Sequence, residues 1–315
     1  MNLTYKQTVF FLLSAVNLIC VKAQDLYYTR KYFINPVLIN PAITGAENIP
    51  KIIMSYDKQF PSIDHSPETY SVSGQLRIGK YDFYNPRQFI NESKFRSLGR
   101  VGIGGGIFYD KDGPLSQLMI NMAYAYHIPF NNESQLSFGL SGILYNYRLH
   151  SSEFIPYHLN DPFLYVDPEK RTTFNTGIGV YYTIKSSFTG ISIKNALPLK
   201  DGLDKEKIRQ PDYYFHAGYQ FHVKASSVII EPSFVVKKES FHDRIVADAH
   251  LRFYYKSDYW CSVSYRDFQS LTFQIVIKVY RSLYVGYGYE HVSGKAGKYN
   301  LTSHGIVFGL NLGLK

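Results

Sequence analysis

Apolar residues alternate with small or polar ones at a period of two along most of the chain, in segments of about 9 to 15 residues. In the last segment Ile306, Phe308, Leu310, Leu312 and Leu314 share one face, while Gly305, Val307, Gly309, Asn311 and Gly313 share the other. Val101, Ile103, Gly105, Ile107 and Tyr109 likewise oppose Gly102, Gly104, Gly106 and Phe108. Leu118, Ile120, Met122, Tyr124, Tyr126 and Ile128 oppose Asn121, Ala123, Ala125 and His127. Successive strand residues point to opposite faces, so such a segment has one face suited to lipid and one suited to a crowded or wet interior. The pattern predicts strands at 51–57, 69–79, 98–110, 114–128, 133–149, 172–184, 187–195, 211–223, 226–238, 244–256, 258–267, 270–279, 282–291 and 300–313. That is about fourteen, with twelve or sixteen within the uncertainty of the boundaries, and an even number suits a single-chain antiparallel barrel.

The connections give an independent test. With the mature N-terminus on the periplasmic side, the outward connections are 58–68, 111–113, 150–171, 196–210, 239–243, 268–269 and 292–299. The inward ones, 80–97 excepted, have four residues or fewer: 129–132, 185–186, 224–225, 257 and 280–281. Short inward turns and longer outward loops belong to outer-membrane barrels, and a soluble β-sandwich gives no reason for them. Past residue 23 no run approaches the roughly 18 apolar residues of a membrane helix. The fold expected is therefore all-β, a transmembrane outer-membrane antiparallel β-barrel over 51–315.

Residues 1–23 read as a secretory signal peptide: Lys6, an apolar run from Thr8 to Cys20, then Val21-Lys22-Ala23 with small residues where a signal peptidase reads. Cleavage falls between Ala23 and Gln24. The run is short for a membrane anchor, and Ile19 precedes Cys20 where lipoprotein processing needs a small residue. Removing the leader removes Lys6 and Lys22 and no acids, so 34 − 2 = 32 bases face 25 acids, a net charge of +7. Only Cys261 then remains, so no intrachain disulfide can form. The 29 Tyr and 22 Phe fit strands and membrane interfaces alike.

The chemistry of an enzyme is not visible. There is no His-Glu-x-x-His, no Gly-Lys-Ser/Thr phosphate loop and no Gly-x-Ser-x-Gly elbow; Gly139-Leu140-Ser141-Gly142 fails on spacing. Gly102, Gly104 and Gly106 alternate within a strand with no helix following, which marks lumen-facing glycine in a tight space, not a dinucleotide turn. The ten histidines are scattered without ligand spacing, and adjacent Ser303 and His304 point to opposite faces. No catalytic, cofactor-binding or metal-binding residues are assigned, and no cofactor is expected. Lys237-Lys238, Lys205, Lys207, Arg209, Lys295 and Lys298 are read as a solvated outer face, with anionic lipopolysaccharide as the second reading. No nucleic-acid partner is expected.

One segment lies outside barrel physics: Asn35-Pro36-Val37-Leu38-Ile39-Asn40-Pro41-Ala42-Ile43-Thr44-Gly45. Two Asn-Pro pairs five residues apart, ending at glycine, predict a structured segment within 24–50, ahead of the first strand. The segment resembles the opening motif of the PorP/SprF family of type IX secretion system membrane proteins. The resemblance continues through Tyr56-Asp57-Lys58-Gln59-Phe60, where Asp57 and Phe60 depart from the family's Arg-x-Gln-Trp-like element, and Ser66-Pro67-Glu68-Thr69. It runs on through Gly104-Gly105-Gly106 to the turn Asp110-Lys111-Asp112-Gly113-Pro114, then Phe174 to Gly179, Tyr213-Tyr214-Phe215, Glu231-Pro232-Ser233 and Gly286 to Glu290. Ser303-His304 closes it, with Gly305 where the family has an acid.

The resemblance implies a non-enzymatic outer-membrane component of the type IX secretion system of Bacteroidota. It would support secretion or surface attachment of cargo proteins or gliding-motility adhesins, with other subunits and a cargo protein as partners. Asn35, Pro36, Asn40, Pro41, Ala42, Gly45, Gln59, Asp110, Gly113 and Pro114 are the motif residues expected to contact partners. The alternative left open is an outer-membrane channel for small or hydrophobic solutes with the N-terminal segment as its plug; a lumen blocked by residues 24–50 would favour the scaffold.

Overall fold

Alternation along the strands becomes the two faces of a closed wall. The computed structural model describes residues 34–47, 49–79, 99–130, 134–150, 171–196, 211–223, 226–240, 243–256, 259–267, 269–293 and 301–312. The expected signal peptide with its Ala23–Gln24 junction, the connection 80–97 except its neighbours, and most of the loops 150–171 and 196–210 lie outside them.

The strands are β1 (Lys51–Gln59), β2 (Glu68–Ile78), β3 (Val101–Asp112), β4 (Leu115–Pro129), β5 (Ser134–Leu149), β6 (Arg171–Ile184), β7 (Ser187–Lys194), β8 (Asp212–Tyr219), β9 (Phe221–His222), β10 (Val228–Glu239), β11 (Arg244–Tyr255), β12 (Tyr259–Arg266), β13 (Ser270–Tyr280), β14 (Leu283–Val292) and β15 (Thr302–Asn311). The segment expected at 211–223 breaks at Gln220 into β8 and the short β9, and both pair with β10, so the wall has fourteen staves. Each stave pairs antiparallel with its sequence neighbours, and β15 closes the ring on β1 from Lys51↔Asn311 to Gln59↔Ser303. Closure removes both sheet edges, which a bilayer demands because it offers unpaired backbone groups no water.

The predicted faces fall as the sequence implies. Met122, Tyr124, Ile103, Ile107, Ile306 and Phe308 are exposed on the outside, while Asn121, Ala123, Ala125, His127 and Val307 are buried within. Met122 is 70 % exposed and its strand neighbour Asn121 is 4 % exposed, so a step of one residue crosses the wall. Met122→Arg is expected to lower the unfolding free energy by about 2–4 kcal/mol, the cost of a cation at the bilayer midplane. Urea unfolding in lipid vesicles measures this; an unchanged midpoint would place that face away from the acyl chains.

The lumen of one half of the ring is ionic. Arg266 Nε lies 3.3 Å from Asp248 Oδ2 and Arg252 Nη1 3.7 Å from Glu231 Oε1, with Lys237–Glu239 and Arg244–Asp267 paired nearer the loop end. Buried charges persist only with such partners. Lys237 therefore corrects the reading of Lys237-Lys238 as a solvated outer face: alternation along β10 turns Lys237 inward while Lys238 points out. Cys261 lies on the exposed outer face.

Candidate functional site

Residues 34–47 enter the lumen as a hook. Each Asn-Pro pair opens one 3-10 turn, Pro36–Leu38 and Pro41–Ile43. Proline suits the first position of such a turn, because its fixed φ is already helical and its missing N–H would have had no partner. The two asparagines then differ. Asn35 makes no side-chain cap bond and is half-buried, whereas Asn40 accepts the Ala42 N–H on Oδ1 at 3.0 Å and is fully buried. Gly45 ends the hook at φ +72, a left-handed conformation that suits glycine.

The wall beneath the hook is made by register. Gly102 pairs with Ala125, Ala125 with Gly139, Gly139 with Gly179, and Gly179 with Ser192, forming one row of small residues across β3 to β7. The hook lies along this row. A Cβ on Gly102 would stand 1.9 Å from Thr44 O; on Gly139, 2.1 Å from Ala42 N; on Gly179, 2.1 Å from Asn40 Oδ1. Ser192 Oγ donates to Ile39 O at 2.6 Å. The absent side chains are the space that the hook backbone fills.

Polar contacts fix it at its middle and towards its C-terminal end. Asn40 Nδ2 donates to Val180 O at 3.1 Å and to His216 Nε2 at 3.0 Å. Towards the C-terminal end His127 Nε2 donates to Thr44 O at 2.9 Å, and Gln75 Oε1 accepts the Gly45 N–H at 2.9 Å. Ser137 Oγ lies 2.8 Å from His127 Nδ1 and holds the ring, while Arg77 Nη1 donates to Gln135 Oε1 at 2.9 Å beside it. Just ahead of the Asn40 clamp the apolar side chains pack: Leu38 among Phe108, Met119, Ile143 and Tyr145, and Ile39 against Tyr214 and Val235. The middle of the hook and its C-terminal part thus each rest on a buried histidine that a neutral partner satisfies.

The motif residues separate into two places. Asn35, Pro36, Asn40, Pro41, Ala42 and Gly45 are in the hook, with Asn40, Pro41, Ala42 and Gly45 buried. Gln59, Asp110, Gly113 and Pro114 are at the loop end, where Thr69 Oγ1 donates to Asp110 Oδ1 at 2.5 Å and Gly113 N–H to His65 O at 3.2 Å. Those contacts tie the first two outward connections together, apart from the hook. The sequence did not single out His127, His216, Gln75, Ser192, Gly139 or Gly179 as partners of the hook. Nothing local marks them, since each is one more small or polar residue on an inward strand face. Among the described residues no group of His, Cys, Asp or Glu is arranged to hold a metal ion.

The family described as "Type IX secretion system membrane protein PorP/SprF" matches residues 21–310. No curated protein gives a significant match. Of solved structures, the Acinetobacter baumannii outer membrane protein Omp33 superposes with a TM-score of 0.50 at 7 % identity, covering 84 % of this chain and 100 % of that one. The Ralstonia pickettii toluene transporter TbuX and the P. putida toluene transporter TodX each give 0.49 at 10 % identity. They cover 86 % and 88 % of this chain, and 92 % and 94 % of their own. The likeness to Omp33 is one of barrel fold alone.

Proposed function

Because the chain belongs to the PorP/SprF family of type IX secretion system membrane proteins, we propose that it is a non-enzymatic outer-membrane part of that system, exported with a cleaved leader, that supports secretion or surface attachment of cargo proteins or gliding adhesins. It would act through protein–protein contacts. The observation that carries this reading over a solute channel is the hook: a chain segment seated along a row of small residues and held by buried hydrogen bonds at Asn40 and Thr44. A wall shaped to receive its own chain favours a lumen used for internal packing over one used for passage. Since Asn40, Pro41 and Ala42 are buried, the hook would set the shape of the barrel, and partner contacts would fall to the rims, including the Gln59 and Asp110–Pro114 end.

Deleting the gene and comparing secreted and surface-attached proteins with the parent strain tests the reading. Selective loss of one or a few cargo proteins bearing type IX C-terminal sorting domains is expected. An unchanged set of secreted proteins with impaired uptake of a small solute would overturn the proposal in favour of the channel. In planar bilayers the purified barrel is expected to show no steady ion conductance; a stable open level in every insertion would contradict the packed lumen.

A further inference from the structure

One side of the barrel's outer surface is ordered by depth. Strand register places Arg148, Ser116, Lys111, Glu68, Lys58, His304 and Tyr289 side by side across seven staves, β5–β4–β3–β2–β1–β15–β14, at the loop end. Two residues further along the strands, the same register forms a second row through Tyr109, Tyr70, Tyr56, Ile306 and Tyr287. Beneath that lies Ile107, Val72, Met54, Phe308 and Val285, wholly apolar. Strand parity puts all three rows on the outer side: Tyr70, Tyr109, Tyr287, Ile107, Val72, Phe308 and Arg148 are exposed, whereas Ser116 is buried with its Oγ 3.2 Å from His150 Nε2.

The two upper rows are linked. Tyr70 OH donates to Glu68 Oε2 at 3.0 Å, and Tyr287 OH lies 2.6 Å from His304 Nδ1. Tyrosine with its ring toward acyl chains and its hydroxyl toward water marks the membrane interface, so the row above it stands at head-group level. There Lys58 and Lys111 flank Glu68 on the two neighbouring strands, Lys58 ion-paired with it, and Arg148 adds a further base. From Lys58 to Arg148 there are four strand spacings, about 19 Å. Among the described residues on the far side of the ring, the exposed base at this end is Lys238, which has Asp243 at 3.7 Å.

We propose that this belt is a binding site for the phosphorylated head group of an outer-leaflet lipid. The lipid's phosphates would lie against Lys111, Arg148 and Lys58, and its acyl chains over the tyrosine and apolar rows. A protein partner at the Asp110–Pro114 rim could reach the charged row but not the rows below it, which face hydrocarbon and which acyl chains cover. The inference needs only the loop end to face outward, and it stands apart from any role in secretion.

The test uses the detergent-purified full barrel and native mass spectrometry, titrating diphosphoryl lipid A, the same lipid dephosphorylated, and inorganic pyrophosphate. Diphosphoryl lipid A is expected to bind at least ten-fold more tightly than the dephosphorylated form, with pyrophosphate failing to displace it. Each base near a lipid anion contributes about five-fold in affinity, so the Lys111→Gln, Arg148→Gln double variant should bind roughly twenty-five-fold more weakly. That variant keeps Lys58 for Glu68 and changes two outward side chains, and the heat-dependent gel shift of folded barrels reports that it still folds. Lys238→Gln should bind as the parent does. Equal binding by the double variant, an equal loss in Lys238→Gln, or displacement by pyrophosphate would each overturn the site.

Discussion

Replacing Gly139 with alanine is expected to unseat the hook while the fourteen staves stay paired. The new Cβ would lie 2.1 Å from Ala42 N and 2.3 Å from Pro41 C, both backbone atoms, so no side-chain rotation relieves the clash. Overpacking of this kind costs about 1–3 kcal/mol, and here it acts on the few contacts that hold one short segment. The ring has a separate source of stability in its closed ladder of hydrogen bonds. The loss should therefore appear as local opening, with amides of residues 36–46 exchanging roughly a hundred-fold faster and strand amides unchanged. Hydrogen exchange read by mass spectrometry measures both. Gly288→Ala is the matched control: that glycine also lies on an inward strand face, yet the nearest atoms to its added Cβ are 4.0 Å away. Faster exchange in the control as well, or none in Gly139→Ala, would show that the row of small residues does not hold the hook.

Asn40→Ala should open the same segment by a different route. The side chain satisfies three groups at once: Ala42 N–H, Val180 O and His216 Nε2. Truncation leaves them in a site that is fully buried, and an unsatisfied buried polar group costs about 1–3 kcal/mol. A total near 3 kcal/mol is expected, again read as exchange at residues 36–46. Asn40→Asp keeps the shape and the bond from Ala42 N–H but replaces the donating amide with a charged oxygen facing the Val180 carbonyl. It should open the hook at least as far, which separates lost hydrogen bonding from lost volume. Asn35→Ala, the same substitution in the other Asn-Pro pair, should change exchange by less than about two-fold, because its side chain makes no cap bond. Equal effects at Asn35 and Asn40 would reduce the motif to a pair of ordinary turns.

The contrast between these two asparagines shows where local sequence stops being informative. Both precede proline, and both turns form. Only Asn40 reaches across the lumen to His216, 176 positions later in the chain, and no local pattern encodes that contact. Lys237 makes the same point in reverse. Lys237 and Lys238 look alike in sequence, but the inward face of β10 buries one against Glu239 and leaves the other exposed.

The chain's period-two alternation was enough to determine strand identity, the lipid-facing residues and the even stave number, because each strand residue's side is set by its parity alone. The Asn-Pro pairs determined two local turns, since proline's fixed φ and asparagine's capping act within a few residues. What only the tertiary structure decided is which residues share a level around the ring. Closure and register bring Gly102, Ala125, Gly139, Gly179 and Ser192 into one groove, and Lys58, Lys111 and Arg148 into one belt. Those levels accumulate stave by stave through the register of neighbouring strands, so the hook's place in the lumen and the order of the outer surface exist only once several staves have paired.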